Sequence, residues 1–394
     1  MKNYTKDTLK KIAIISPAYL PQEGGVAFYV DKLANGLCSS FNVDVITTAV
    51  SGKEEVKRND NGLTVYYSIT KWNFKGFVRL NSMINKNEYD FVNFQYAPNI
   101  YGKNGLNVSL PVFLLFWRMR NINISFFFHE IAIPFLMKHV KLTPFSIFNR
   151  IVFAVAVCTS KKIGISCQIW AEHWKKYFFW QKKKFIVVPV FSNFSYRQLT
   201  GPEKLDLKAS LNMPKEALVL FFSGYLHPSK LTDFVLDALD YLTNKQYNVR
   251  LLYAGYESEK FRSIVEAAYR HLGEYIIITG ICSKEQMEKY LNIADIYVCP
   301  YSDGVCYRRT STMAGLQFGA ATVTTYGENT EPFFVKENNN SMIVCRDKTE
   351  FIRSIEALAK DPGLRLKIGS AGKKLYEENF SKDKVVIYYT QALL

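Results

Sequence analysis

The stretch Ala294-Asp-Ile-Tyr-Val-Cys-Pro-Tyr-Ser-Asp303-Gly304-Val-Cys-Tyr-Arg308-Arg309-Thr310-Ser311-Thr312-Met-Ala-Gly-Leu-Gln-Phe-Gly319-Ala-Ala-Thr-Val-Thr-Thr325 decides the fold. A short run that is apolar throughout is what a strand buried on both faces looks like. Here such a run, Ile296–Cys299, leads through a loop into a helix-length segment of small residues. Gly319 closes that segment, and a second β-rich run follows at once. Strand, helix and strand in this order form one unit of a parallel sheet.

The same theme extends in both directions. Leu218–Phe222, Val249–Tyr253 and Ile276–Thr279 precede the stretch, separated by segments of helical period such as Phe234, Val235, Ala238, Leu239 and Leu242. An earlier series runs through Ile12–Ile15, Val43–Ile46, Phe91–Phe94, Ile124–Phe128, Ile163–Ser166 and Phe185–Val188. Between the two series lies a polar segment, Ser192–Pro214, with Pro202 and Pro214 and no sustained period. A chain of 394 residues is long for one core and comfortable for two. The expected organisation is therefore two doubly wound α/β domains, 1–195 and 196–394. The stretch 373–394 is expected to be helical and free to pack on either. Ligands of open α/β sheets bind at the loops after the strands, so two such domains should face each other across a cleft lined by those loops.

Charge divides unevenly. Residues 1–195 hold 25 Lys+Arg and 11 Asp+Glu, whereas 196–394 hold 25 and 24, so nearly all of the net +15 sits on the first domain. Such a field attracts a nucleic acid, an anionic bilayer or a phosphorylated substrate; a merely soluble basic surface is the plain alternative. The seven cysteines show no C-x-x-C pair and read as reduced thiols of a cytosolic protein. The polar, lysine-rich start lacks the apolar core of a signal peptide. The longest apolar stretches fall well short of the roughly 20 residues that cross a bilayer, so any membrane contact should be peripheral.

The candidate chemistry lies on loops. Gly24 and Gly25 at a helix start let backbone approach an anion, or merely form a tight turn. Gly224, Tyr225 and Lys230 follow the Leu218–Phe222 run, and Lys230 suits a phosphate contact. Asp303, Gly304, Arg308, Arg309, Thr310 and Ser311 combine guanidinium groups with hydroxyls at a helix N-terminus. Adjacent arginines there conflict with the helix dipole unless a negative partner compensates. His129 and Glu130 follow the Ile124–Phe128 run and can hydrogen-bond a sugar or accept a proton; a core histidine with a solvated neighbour is the alternative. No Asp-x-Asp pair occurs, so no metal is expected, with Lys230 and the arginines in a cation's place.

These features, in this order, resemble the GT-B glycosyltransferases of the retaining family-4 type. The early Gly-Gly loop, the Gly-x-Leu-x-Pro-x-Lys opening at Gly224, the Ala-Asp-x-x-x-x-Pro strand at Ala294 and the small-residue helix ending at Gly319 carry the likeness. It implies a nucleotide-sugar as co-substrate without further cofactor, a donor site on the second domain, and an acceptor side that includes His129, Glu130 and Tyr96. It also implies front-face displacement assisted by the leaving diphosphate, so that positioning and charge neutralisation carry the catalysis. The sequence departs from the family at Tyr225, where Arg is usual, and at Cys306 and Ala314, where two glutamates are usual. An epimerase of the same fold, or a non-catalytic nucleotide- or partner-binding member, remains an alternative.

Trp174 and its aromatic neighbours interleave with Lys175, Lys176, Lys182, Lys183 and Lys184, a pattern suited to a helix lying on anionic lipid. A core helix with a solvated lysine face is the alternative. No nucleic-acid recognition module accompanies the basic excess. The expectation is thus a cytoplasmic sugar transferase peripherally attached to the inner face of the cell membrane. Its acceptor would be lipid-linked or otherwise membrane-presented, as in surface polysaccharide or glycoconjugate assembly.

Overall fold

A computed structural model of the chain describes residues 9–132 and 143–394. The chain divides into two compact units, the first comprising Met1–Pro189 with Lys382–Leu394 and the second Val190–Ser381. The boundary expected at 195 thus lies inside the second unit.

In the first unit the elements run β1 (Lys11–Ile15), α1 (Gly25–Leu37), β2 (Asn42–Thr48), β3 (Glu55–Arg58), β4 (Thr64–Ile69), α2 (Phe74–Asn87), β5 (Phe91–Tyr96), α3 (Pro98–Tyr101), α4 (Ser109–Met119), β6 (Ile124–Phe128), α5 (Thr143–Thr159), β7 (Lys162–Ile165), α6 (Gln168–Tyr177) and β8 (Phe185–Val187). The sheet order is β3-β4-β2-β1-β5-β6-β7-β8, parallel except where the edge strand β3 pairs antiparallel with β4. Strand side chains alternate between the two faces, and here the faces differ. Val92, Phe94, Phe126 and Phe128 enter a core shared with the buried sides of α2, α4 and α5. Asn93, Gln95 and Ser125 point the other way, where α1 lies.

The second unit contains α7 (Gly201–Ser210), β9 (Leu218–Ser223), α8 (Thr232–Asn244), β10 (Val249–Ala254), α9 (Ser258–Ala268), β11 (Ile276–Ile278), α10 (Lys284–Ile293), β12 (Ile296–Cys299), α11 (Thr310–Phe318), β13 (Ala321–Thr325), α12 (Pro332–Lys336), β14 (Ile343–Cys345), α13 (Lys348–Lys360) and α14 (Pro362–Asn379). Its strands are all parallel in the order β11-β10-β9-β12-β13-β14, with a hydrophobic core on each face. Gly319, at φ 72°, supplies the left-handed residue that ends α11 and turns the chain directly into β13.

The segment expected to be an irregular linker contains α7. Thr200 accepts a hydrogen bond from the Glu203 N–H while the Glu203 carboxylate accepts one from the Thr200 N–H, a capping box with Pro202 in the first turn. The C-terminal stretch is two helices, because α14 ends before α15 (Lys382–Leu393) begins. That last helix packs on α1 and β7 of the first unit. Gly36 and Gly164 allow the approach, since a Cβ on either would crowd Val386 or Leu393.

Candidate functional site

In the second unit, the loop after β12 brings most of the anion candidates together. Asp303 accepts from Arg308 Nη2 at 2.9 Å and also pairs with Arg309 Nη2. The guanidinium of Arg309 lies over the Tyr301 ring, 3.8 Å from its centroid. The Tyr301 hydroxyl in turn meets Ser311 Oγ near the start of α11. The negative partner that the arginine pair demands is therefore supplied by the chain itself.

Lys230 joins this cluster by another route. Its backbone bridges to Tyr301, its ammonium donates to the Ser223 carbonyl, and it sits 4.9 Å from the centre of the Phe222 ring. Burial pushes its pKa down to about 8; Cys299 opposes that shift and the Arg309 charge adds to it. Gly224 has φ 93° and lies against the Lys230 ammonium, and Tyr225 is exposed. Gly304, at φ 84°, packs against Gly327 and Thr330, so its place in the loop is set by close packing. Thr310 opens α11 directly after Arg309. The cluster lies on loops beyond the carboxyl ends of β9 and β12, where parallel sheets bind ligands.

Cys306 and Ala314, the positions at which the resemblance implies glutamates, are both buried. A carboxylate that sequence reading does not single out, Glu331, is wholly buried beside this loop, its N–H donating to the Val305 carbonyl. The signal lay in Thr330-Glu331-Pro332, where proline fixes a helix start next to a charged residue.

In the first unit, Gly24 caps α1 at φ 152°, and a Cβ at Gly24 or Gly25 would meet nothing, so the space before this helix end is open. His129 continues β6, held edge-on against Tyr29 and Phe127. Its Nε2 lies 3.0 Å from Gln95 Oε1. Gln95 Nε2 donates to Asn93 Oδ1 and to the Tyr389 hydroxyl; Tyr389 donates to Asn93 Oδ1, and Asn93 Nδ2 donates to Ser125 Oγ. With both amide hydrogens of Gln95 committed, its oxygen can only accept. His129 therefore carries its proton on Nε2 and turns an acceptor, Nδ1, to whatever lies beyond. Burial pushes its pKa down to about 3, which favours a neutral hydrogen-bonding group over a proton acceptor. Glu130 is exposed beside it. Tyr96, expected on the acceptor side, is instead enclosed in the core against Tyr101 and Phe128.

The aromatic–lysine segment is not one helix. After α6 it tightens into a 3₁₀ turn, Phe179–Lys184. Trp174 packs inward on Phe153, Lys175 pairs with Glu172, and Lys184 donates to the Val157 carbonyl. Those three are half-buried. Lys176, Lys182 and Lys183 remain exposed, with Tyr177, Phe179 and Trp180 among them.

Residues 203–375 match the family model of the glycosyl transferases group 1. A 102-residue segment is 29% identical to the lipopolysaccharide 1,2-N-acetylglucosaminetransferase of Salmonella typhimurium, covering 24% of this chain and 27% of that protein. Over 97% of this chain and 98% of theirs, the structure is similar to sucrose-phosphate synthase of Thermosynechococcus elongatus (TM-score 0.72, 14% identity) and to Anabaena HepE in complex with UDP and glucose (TM-score 0.70, 13% identity). The fold is that of the GT-B glycosyltransferases. Its second unit carries a glycosyl transferases group 1 domain.

Proposed function

We propose that this protein transfers a sugar from a nucleotide-sugar to a membrane-presented acceptor in glycoconjugate assembly. The observation that carries the reading is the cluster of Lys230, Arg308 and Arg309 around Asp303, within the group 1 domain. The excess positive charge suits a leaving diphosphate, which needs neutralising as the glycosidic bond to the donor breaks. UDP is the first nucleotide to try, because HepE binds it. In the first unit, His129 offers Nδ1 to a sugar hydroxyl, with Glu130 beside it. The absence of side chains at Gly24 and Gly25 suits the approach of a ligand to α1. The exposed aromatics and lysines of the 3₁₀ turn support attachment to the cytoplasmic face of a membrane.

The test is calorimetric titration of UDP into the full chain and into Arg309→Ala. A charge-assisted hydrogen bond is worth roughly 1.5–3 kcal/mol, so the alanine variant should lose about ten- to a hundred-fold in affinity. Lysine at this position should restore little, because a point charge cannot reproduce the planar fork. Unchanged affinity in both Arg308→Ala and Arg309→Ala removes the diphosphate site from this cluster. A second reading, a member that binds nucleotide without transfer, draws on the buried Cys306 and Ala314 at the usual glutamate positions. Slow hydrolysis of a UDP-sugar by the wild-type chain would exclude it.

A further inference from the structure

Helices α2, α4 and α5 cover one face of the eight-stranded sheet, with Phe77, Trp117 and Phe153 among the side chains they bury. The opposite side of such helices is ordinarily polar. Here it is not. On α4 and the residue before it, Val108, Val112, Leu115 and Met119 recur at helical spacing and face solvent, Val108 at 62% and Met119 at 75% exposure. Phe74 and Val78 do the same on α2, and Ile147 and Ile151 on α5. The three helices are neighbours: α4 packs on both α2 and α5, and the Phe74 ring lies 5.5 Å from that of Phe113. The exposed apolar side chains therefore share one surface, and a patch of this kind marks a contact with something else.

Charge says what that something is. None of the three helices contains Asp or Glu, and from Phe91 to Ala171 the sequence has a single carboxylate, Glu130. Lys75 and Lys86 lie on α2, where Arg79 is paired with Glu54, and Arg118 and Arg120 lie at the end of α4. The surface continues to the 3₁₀ turn beside α5, where Phe179 and Trp180 are exposed next to Lys182 and Lys183. A second copy of the chain would set these cations against their own kind. An anionic bilayer accepts both parts, with apolar side chains among the acyl chains and basic ones reaching the headgroups. We infer that the outer faces of α2, α4 and α5 form a lipid-docking surface, with α4 as the helix that enters the interface. This goes beyond the aromatic–lysine segment and does not rest on the transfer reaction.

Co-sedimentation of the full chain with vesicles of phosphatidylcholine alone, or mixed with phosphatidylglycerol, tests it. The wild-type chain should bind the mixed vesicles and far less of the neutral ones. Leu115→Glu with Met119→Glu should weaken that binding at least about ten-fold, since two charges replace two inserted side chains. Leu366→Glu, an equally exposed position on α14 of the second unit, should change nothing. Leu115→Ser with Met119→Ser adds no charge and provides the same loss should the glutamate pair fail to fold. Vesicle binding unchanged in a folded double variant overturns the inference. So does a wild-type chain that ignores anionic vesicles, or one that sediments as a dimer which the double variant dissolves without affecting lipid.

Discussion

Arg309 touches Tyr301 with its face and Asp303 with its edge, so its removal should be felt before any ligand is added. From the doublet alone, a helix start carrying two cations appears relieved by losing one. With Asp303 between them, Arg309→Ala leaves a part-buried carboxylate held only through its other oxygen by Arg308 and Asn329, and the apo chain should melt lower. A hydrogen bond to a charged group contributes about 1.5–3 kcal/mol, less here because solvent reaches the pair. His129 makes a prediction with a definite sign. The folded chain keeps it neutral down to about 3, whereas an unfolded chain protonates it near 6.5. Below 6.5 the unfolded state binds more protons, so stability falls as pH drops through that window and is unaffected by His129 above it. Melting temperatures between pH 7 and 4 should show a shallower fall for His129→Gln than for the wild type. Equal slopes would mean that the imidazole is not shielded. The arginine doublet could be read from the sequence because its members are adjacent. Asn93 and Gln95 signalled only that a buried strand carried polar side chains; their partner Tyr389 is distant in sequence, and no local pattern announces it.

At the scale of elements, most runs that are apolar throughout were legible, even the three-residue β8 and β11, whereas alternating and charged ones were not. β3 is four charged or exposed residues on a sheet edge, β4 alternates, and β14 is three residues long. The helix α7 was hidden by Pro202, which reads as a breaker although it stands where a helix can begin. Helix contacts follow the same logic of context. Alanine for glycine in a helix ordinarily gains up to about 1 kcal/mol, yet at Gly36 a Cβ would stand 2.7 Å from Val386 Cγ2, on a β-branched side chain that cannot easily turn away. Gly36→Leu should therefore destabilise the first unit by about 1–3 kcal/mol. Denaturant unfolding followed by a probe in that unit measures it, and a stabilised variant would show that α1 and α15 do not pack this closely.

For the whole molecule, the two sheets and their parallel character were legible, and the path of the last helix was not, because an amphipathic helix does not name the surface that covers it. Assigning Lys382–Leu394 to the first unit sharpens the charge division to 27 Lys+Arg and 12 Asp+Glu there, against 23 of each in the second. A chain ending at Ser381 should expose the Gln95 amide and the face of α1. Its calorimetric trace should show the first unit unfolding at lower temperature while the second is unmoved; a uniform shift of both would deny that α15 belongs to one of them.

The return of α15 has a consequence for the order in which the molecule can be made. Ribosomes deliver the chain from its beginning, at about 5–20 residues per second, so the eight-stranded sheet emerges long before the helix that packs beside α1 on one of its faces. During the intervening tens of seconds Asn93 and Gln95 must wait for the Tyr389 hydroxyl. The second unit, contiguous from Val190 to Ser381, can finish first although it starts later. The nascent chain thus passes through a form in which the later-born half is complete and the earlier-born half is not, and that is the interval in which a chaperone would have most to hold.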